Sequence, residues 1–513
     1  MRRTVLHAAA LLLVLAGVAF AALHLDLPDG GGDFSNAERY LEGQRPYRDF
    51  ELLTSLLPVY TNALLVAAFG PGMIPMAAWT VVAIASGLGV LASVVYRETD
   101  GDRELTLAFV CLAAYLGGYR WPRSNYTWNA VLLVAVGAAL YARIRARGRP
   151  GGRVADWLGV GLVVGAAIGM KQNIGGVALL VAGVWLLRDA RLAGARAVAT
   201  RLAALALGAL VVPGGLLLDL WGRGLLADMI RERERLGSYL GHTVSPFATL
   251  AVTPVSAADV MRWLVDAGGV ALLAAAAAVC AAVLLTRRAA GASSTAGAWA
   301  ILGLGMLACL YPRADSVHAG FVLPFVLAGA VIAGHALTRQ PRHAKRRALL
   351  GRAASVAVLA CGLLAALALA RGAWDVANGR RVVLHAFPAA GMLTFRERLA
   401  FLERVRAAVD THVSSVDTLL IVDSSGCFLN HFLGVRAARK PCFFAQGVVR
   451  PGEVAAAAAA IEDGRIQALL VPAAGPGSSE VADELRAVAE RVMEPRAEVG
   501  GLRLFVARRT PRA

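Results

Sequence analysis

Through most of the chain, apolar residues gather in long runs, at about 4–23, 73–95, 105–119, 127–142, 155–170, 173–187, 202–220, 262–285, 297–311, 319–337 and 353–371. Runs of this length without strict alternation predict helices, and about 20 apolar residues in a helix suffice to cross a bilayer. The first run follows Arg2 and Arg3. It is longer than a signal-peptide core and many further runs follow, so it reads as a first span with its amino end in the cytoplasm. One more run, 52–70, is long enough to cross but contains Thr54, Ser55, Pro58, Thr61 and Asn62.

Charge decides that case. If 52–70 does not cross, the arginine-rich loops RIRARGRPGGR (143–153), RDARLAGARAVATR (188–201), TRR (286–288) and TRQPRHAKRRALLGR (338–352) all lie inside. If it crosses, all of them move outside, against the orientation bias of lysine and arginine. The segment is therefore expected to be re-entrant or surface-lying, leaving eleven spans. The outer side then holds 24–72, YRWPRSNYT (119–127), the loop from Trp221 to about Val260, YPRADSVH (311–318), the turn around Lys171 and everything after about Arg371.

Composition agrees: 58% of residues are hydrophobic and only 17% charged, which excludes an ordinary soluble protein. The net charge of +17 sits mainly in the loops between apolar runs, so it reports membrane orientation and gives no nucleic-acid-binding pattern. Four cysteines, Cys111, Cys280, Cys309 and Cys361, fall in apolar runs as packing residues. Cys427 and Cys442 lie in the polar carboxy-terminal part, where an oxidising compartment would let them pair; the sequence leaves that open.

Beyond residue 375 the pattern changes. Helical stretches at 395–412, around EVAAAAAAIEDG and along SEVADELRAVAERV alternate with short β-rich runs at 418–422, 441–445, 467–472 and 502–507. That alternation predicts a small α/β domain with a partly parallel sheet. No glycine-rich dinucleotide fingerprint follows any of these strands.

The candidate chemistry lies in the expected outer stretches. Seven acidic residues fall between Asp26 and Glu51, most of them explained by a solvated helix on the bilayer surface. Asp29 and Asp33 stand apart, because glycines at 30–32 free the backbone to present a carboxylate unusually. Such a carboxylate can take a proton from an acceptor hydroxyl or hold a divalent cation. Arg120, Arg123, Lys171, Arg313 and His318 map to outer helix ends, where cations suit a lipid phosphate or pyrophosphate. Lys171 is the sharpest of them, since MKQN interrupts a continuous apolar stretch.

The stretch DGGGDFSNAERYLEGQRPYRDFELLTSLLPVY (29–60) resembles the first periplasmic loop of the GT-C superfamily of membrane glycosyltransferases, which includes protein O-mannosyltransferases and lipid A aminoarabinose transferases. KQNIGG (171–176), YPRADSVHAGFVLP (311–324) and DSSGCFLNHFLGVRAARKP (423–441) are similar to further segments of bacterial members. The resemblance implies a mainly α polytopic membrane protein of the bacterial inner membrane. It comprises a transmembrane glycosyltransferase-like domain at 1–375, including a first periplasmic loop at 24–72, and an extracytoplasmic α/β domain at 376–513. It also implies a polyprenyl-phosphate sugar donor, an envelope acceptor and no nucleic acid. Counted back from Gly43, the family's catalytic aspartate falls on Asp29, with Asp33 the alternative. A divalent metal ion is the one cofactor admitted, with Asp29 as its carboxylate. Substrate contacts fall on Arg48, Asp49, Arg120, Arg123, Lys171, Arg313 and His318. A flippase for lipid-linked glycans and a noncatalytic envelope scaffold are the competing readings; the first predicts ionisable residues in mid-helix.

Overall fold

The computed structural model describes residues 2–25, 29–52, 55–119, 122, 125–148, 152–189, 194–240, 257–285, 294–311, 316–338, 344–385, 388–414, 418–423, 425–434, 436–437, 449–474 and 479–508. Helices dominate. In chain order they are α1 (Arg2–Ala22), α2 (Asp29–Leu41), α3 (Leu57–Phe69), α4 (Ile74–Glu98) and α5 (Arg103–Ala113). A π-helical turn, Ala114–Tyr119, extends α5. There follow α6 (Asn125–Ala146), α7 (Val154–Met170), α8 (Gln172–Asp189), α9 (Ala195–Gly222) and α10 (Leu226–Leu240). Next come α11 (Ala257–Leu285), α12 (Ser294–Met306), α13 (Ser316–Thr338) and α14 (Ala344–Ala377).

Each of the eleven apolar runs is helical, 105–119 continuing from α5 into the π-helical turn and 297–311 from α12 into a 3-10 turn at Leu307–Leu310. Among the described residues, seven are long and apolar enough to cross a membrane: Thr4–Ala22 within α1, α4, α6, α9, Ala267–Leu285 within α11, Val317–Thr338 within α13 and Lys345–Ala377 within α14. Leu57–Phe69 (α3), Val154–Met170 (α7) and Ala296–Leu310 are apolar but shorter, so the expected eleven spans exceed the seven helices of full spanning length, and α3 is among the shortest. Its 13 residues rise about 20 Å at 1.5 Å each, short of a hydrocarbon core about 30 Å thick.

The chain divides into two compact units. One comprises Met1–Ala22, Ala77–Leu218 and Thr243–Arg371; the other comprises Leu23–Met76, Asp219–His242 and Gly372–Ala513. In the first, glycines let backbones meet. A Cβ on Gly161 would lie 2.3 Å from the Leu205 carbonyl oxygen, and one on Gly208 would lie 2.4 Å from that of Leu158, so α7 and α9 touch through their glycines.

The second unit holds the strands. β1 (Arg381–Val383) and β2 (Leu393–Phe395) form an antiparallel pair, and the Leu393 amide also bonds the Leu23 carbonyl at 2.7 Å. Next come α15 (Arg396–His412), β3 (Thr418–Ile421), α16 (Gly426–Leu433), β4 (Arg436–Ala437), α17 (Pro451–Glu462), β5 (Ala468–Pro472), α18 (Glu480–Val492), β6 (Met493–Val499) and β7 (Leu502–Ala507). The five-stranded sheet has the order β4-β3-β5-β7-β6, parallel between β3 and its two neighbours and antiparallel beyond β5. Strand β5 is apolar at every position from Ala468 to Val471, and all four are buried, the pattern of a strand covered on both faces. Leu469, Val471 and Phe505 join Val454 and Ile461 of α17 and Leu485, Val488 and Ala489 of α18 in one core. The 441–445 run lies outside the described residues.

Candidate functional site

In the second unit, the glycine run after Asp29 is helical. Three glycines among the first four residues of α2 cost roughly 1 kcal/mol each relative to alanine, so intrinsic propensity does not explain this turn. Packing does. A Cβ on Gly31 would fall 2.6 Å from the Phe428 Cβ of α16, so only glycine lets the two helices approach this closely. Gly31 thus makes room for a neighbour, and the run does not unwind the backbone around a carboxylate. Asp29 opens the helix and Asp33 follows one turn later. Asp33 is half-buried, with one carboxylate oxygen shielded from solvent.

Another flank of α2 carries a polar triplet with a partner distant in sequence. His431 of α16 places Nε2 2.9 Å from the Ser35 hydroxyl and Nδ1 3.2 Å from the Glu38 carboxylate. Its ring also meets the Phe34 ring edge-on, with centroids 6.0 Å apart. Ser35 and Glu38 stand three residues apart on one helix face, which was legible; their partner lies 396 positions away from Ser35, which was not.

The PYRDF segment after α2 is a self-locking turn. Tyr47 adopts φ of 64°, the left-handed region that non-glycine residues rarely enter. Asp49 accepts hydrogen bonds from the Arg45 amide at 2.7 Å and from Arg45 Nε at 3.3 Å, while Arg39 Nη2 donates to the Asp49 carbonyl oxygen at 3.2 Å. Partial burial pushes the Asp49 carboxyl upward, but these Arg45 bonds outweigh it and leave the group below its ordinary range. The Arg39 guanidinium also lies 5.5 Å from the Phe50 ring centre. Burial pushes the Tyr47 phenol up to about 12, partly offset by Arg233.

Arg48 reaches into α10, donating to Asp228 at 2.8 Å and to the Gly224 carbonyl oxygen at 2.8 Å. Asp228 also accepts from Arg231. Burial raises the Asp228 carboxyl, but Arg48 and then Arg231 more than offset this, so it ionises below its ordinary range. A depressed folded-state pKa contributes stability above the unfolded value of about 3.9 and loses it as pH falls through the folded value. Arg48→Ala is therefore expected to raise the midpoint of acid unfolding and to cost roughly 1 kcal/mol at neutral pH, because Arg231 still covers the carboxylate. Acid titration followed by tryptophan fluorescence reads this; an unchanged midpoint would show that Arg48 does not hold the turn.

Helix α10 is also tied to α17. Arg450 donates to the Arg231 carbonyl oxygen at 3.2 Å and lies 3.8 Å from Glu232. At the end of α9, Asp219 accepts from Tyr60 of α3 and, at 2.9 Å, from Arg223. The Arg223 guanidinium lies 5.8 Å from the Tyr40 ring centre.

The first unit contains the other candidate group. Helix α7 ends at Met170 and α8 begins at Gln172, leaving Lys171 alone at the break with extended backbone angles. Gly175 makes the break tight, since a Cβ there would fall 2.2 Å from the Ile168 amide nitrogen. Lys171 Nζ donates to the Thr127 hydroxyl at 3.0 Å and lies 5.2 Å from the Tyr126 ring centre and 5.3 Å from that of Phe321. Two ring faces and a hydroxyl are a reasonable substitute for water around an ammonium group. His318, one turn before Phe321 on α13, packs edge-on against it at 6.5 Å. Phe321 also meets Trp128 at 5.4 Å, and Gly117 of the π-helical turn leaves space for the Gly320 carbonyl beside them. The structure thus brings Lys171 and His318 to one aromatic cluster. Tyr126, Thr127 and Phe321 complete it and were not singled out in the sequence, although YT and HAGF both flank apolar runs.

Arg120, Arg123 and Arg313 lie outside the described residues. Among the described residues, no three His, Cys, Asp or Glu side chains gather as a metal-binding group. Cys427, next to Phe428, is disulfide-bonded, whereas Cys111, Cys280, Cys309 and Cys361 are free; Cys442 lies outside the described residues.

No protein-family model and no curated protein matches the chain. Among solved structures it is similar to ArnT from Cupriavidus metallidurans bound to undecaprenyl phosphate, at 17% identity over 98% of this chain and 97% of that one, with a TM-score of 0.55. The apo state of the same ArnT gives 17% identity, 96% coverage of both chains and a TM-score of 0.53. An oligosaccharyltransferase from Archaeoglobus fulgidus, in complex with zinc and sulfate, gives 11% identity over 90% of this chain and 68% of that one, with a TM-score of 0.46. At such identities the ArnT likeness is one of fold: the chain has a GT-C-like architecture over nearly its whole length.

Proposed function

We propose that this chain is a membrane glycosyltransferase that moves a hexosyl or pentosyl group from a polyprenyl-phosphate carrier to a lipid, glycan or protein of the cell envelope. The observation that carries the reading is Lys171, an ammonium group placed at a helix break among two aromatic rings and a hydroxyl, in a fold shared with a protein crystallised with undecaprenyl phosphate. The arginine-rich loops favour an inner-membrane orientation with residues 24–72 and the carboxy-terminal sheet outside the cytoplasm.

In this reading an acceptor hydroxyl gives its proton to an aspartate as its oxygen bonds to the anomeric carbon. The bond from that carbon to the phosphate oxygen breaks, configuration inverts, and polyprenyl phosphate leaves with the electron pair. Asp33 is the preferred base. Asp29 occupies the first helical position, where an acid is favoured by the helix dipole alone, whereas Asp33 in the second turn has no such local reason to be acidic. Lys171 meets the charge that develops on the departing phosphate, with His318 and Arg313 in support and Arg120 and Arg123 as further phosphate contacts. Asp29 remains the carboxylate to consider for a divalent metal ion. Arg48 and Asp49 serve by shaping the turn after α2, as their hydrogen bonds suggest.

The test is transfer itself. Purified protein in lipid, given radiolabelled polyprenyl-phosphate sugars and envelope extract, should release polyprenyl phosphate in step with labelled acceptor. Movement of intact donor across the bilayer with no release of carrier would instead identify a flippase.

A further inference from the structure

The glycine-rich start of α2 is a poor helix former by itself, yet it carries the two candidate carboxylates. What supports it is α16. Gly31 lies against Phe428, Phe34 against the His431 ring, and Ser35 and Glu38 are both bound by the His431 imidazole. With Glu38 ionised, Nδ1–H donates to it and Nε2 accepts from the Ser35 hydroxyl, so a neutral imidazole satisfies both partners in one tautomer. Ser35 is buried, and the histidine and glutamate side chains are only 19% and 14% exposed, which strengthens both hydrogen bonds.

Helix α16 is itself fixed. Arg406 of α15 donates to the Phe432 carbonyl and stacks over the Phe432 ring at 4.2 Å, and Cys427 is disulfide-bonded. Phe428 and Phe432 stack one turn apart, with centroids separated by 5.8 Å. A braced helix therefore grips one flank of α2, and at about 100° per residue Asp33 falls on another flank. A small roll of α2 would swing Asp33 while leaving its own bonds intact.

We propose that His431 is a positioning residue that, by binding Ser35 and Glu38, fixes the roll of α2 and so the aim of Asp33. The proposal rests on the reading of Asp33 as the base for transfer. It predicts that His431→Ala lowers the single-turnover rate about 30-fold, within the range expected when a reacting group is misplaced by an ångström, while donor KM changes less than about two-fold. His431→Asn keeps a donor near the Nδ1 position for Glu38 and should recover most of the loss. Glu38→Gln, which keeps the shape and removes the charge, should fall between the parent and His431→Ala.

Amide hydrogen exchange over residues 29–41, measured without substrate, supplies the second readout. It should quicken in His431→Ala and return toward the parent rate in His431→Asn. A His431→Ala protein with parental rate and parental exchange would overturn the proposal, as would equal losses in the alanine and asparagine variants, which would mean that only packing volume matters. If the parent transfers no sugar at all, the function assigned above falls. The exchange result stands apart from that failure: unchanged protection in His431→Ala would overturn the clamp, and quickened exchange rescued by asparagine would uphold it.

Discussion

Asp33→Asn is expected to reduce sugar transfer by about 1000-fold, the scale of losing a general base, with the protein still folded and still binding donor. An amide has nearly the size of a carboxylate but cannot take up the acceptor proton, so the loss should lie in the rate and not in donor affinity. The parallel change Asp29→Asn removes a charge at the first position of α2 and should cost less than about 1 kcal/mol through the helix dipole, leaving transfer within a few-fold of the parent. Single-turnover kinetics with saturating donor, with circular dichroism as a check on folding, separate the two. If Asp29→Asn abolishes transfer and Asp33→Asn does not, the base is one helical turn earlier. If both retain full activity, base catalysis by α2 is wrong.

Lys171→Ala should slow the chemical step by roughly 100-fold, the typical effect of losing one donor that stabilises developing charge. A charge that acts on a departing phosphate matters more in the transition state than in the bound donor, so kcat should fall more than donor affinity. Lys171→Arg tests the surroundings as well as the charge. The ammonium group sits 3.0 Å from Thr127 between the Tyr126 and Phe321 rings, and a planar guanidinium presents its donors in a different geometry. Partial activity, between alanine and parent, is expected. Parental rates in Lys171→Ala would reduce this residue to a helix-end anchor and shift attention to Arg120 and Arg123.

The helices were legible because they follow from local composition. Each apolar run became helical, and the polar interruptions in 52–70 came with a helix of only 13 residues, α3. The Arg45–Asp49 staple was also local, four residues apart, and the helix–strand alternation after residue 395 reappears as the sheet order described above. What the sequence hid was nonlocal. The glycines at 30–32 suggested a backbone freed to present a carboxylate because nothing nearby in sequence announces Phe428, which occupies the space a side chain on Gly31 would fill. The Ser35–His431–Glu38 contact and the Lys171 surroundings share that cause, since both join helices far apart in the chain. The π-helical turn at Ala114–Tyr119 was invisible because its composition is that of an ordinary apolar helix.

The second unit is woven from three separate stretches, Leu23–Met76, Asp219–His242 and Gly372–Ala513, with the apolar helices of the first unit between them. That ordering has a consequence in time. Helix α2 leaves the ribosome early, but α16 is made hundreds of residues later, which at about 5–20 residues per second is a delay of tens of seconds. During that interval the glycine-rich turn has no Phe428 to pack on and Ser35 and Glu38 have no histidine. The carboxylate helix therefore matures late, although it is translated almost first. A chain cut short by a premature stop would insert its spans yet never assemble α2 on α16, so a half-made protein would sit in the membrane without the chemistry of a finished one.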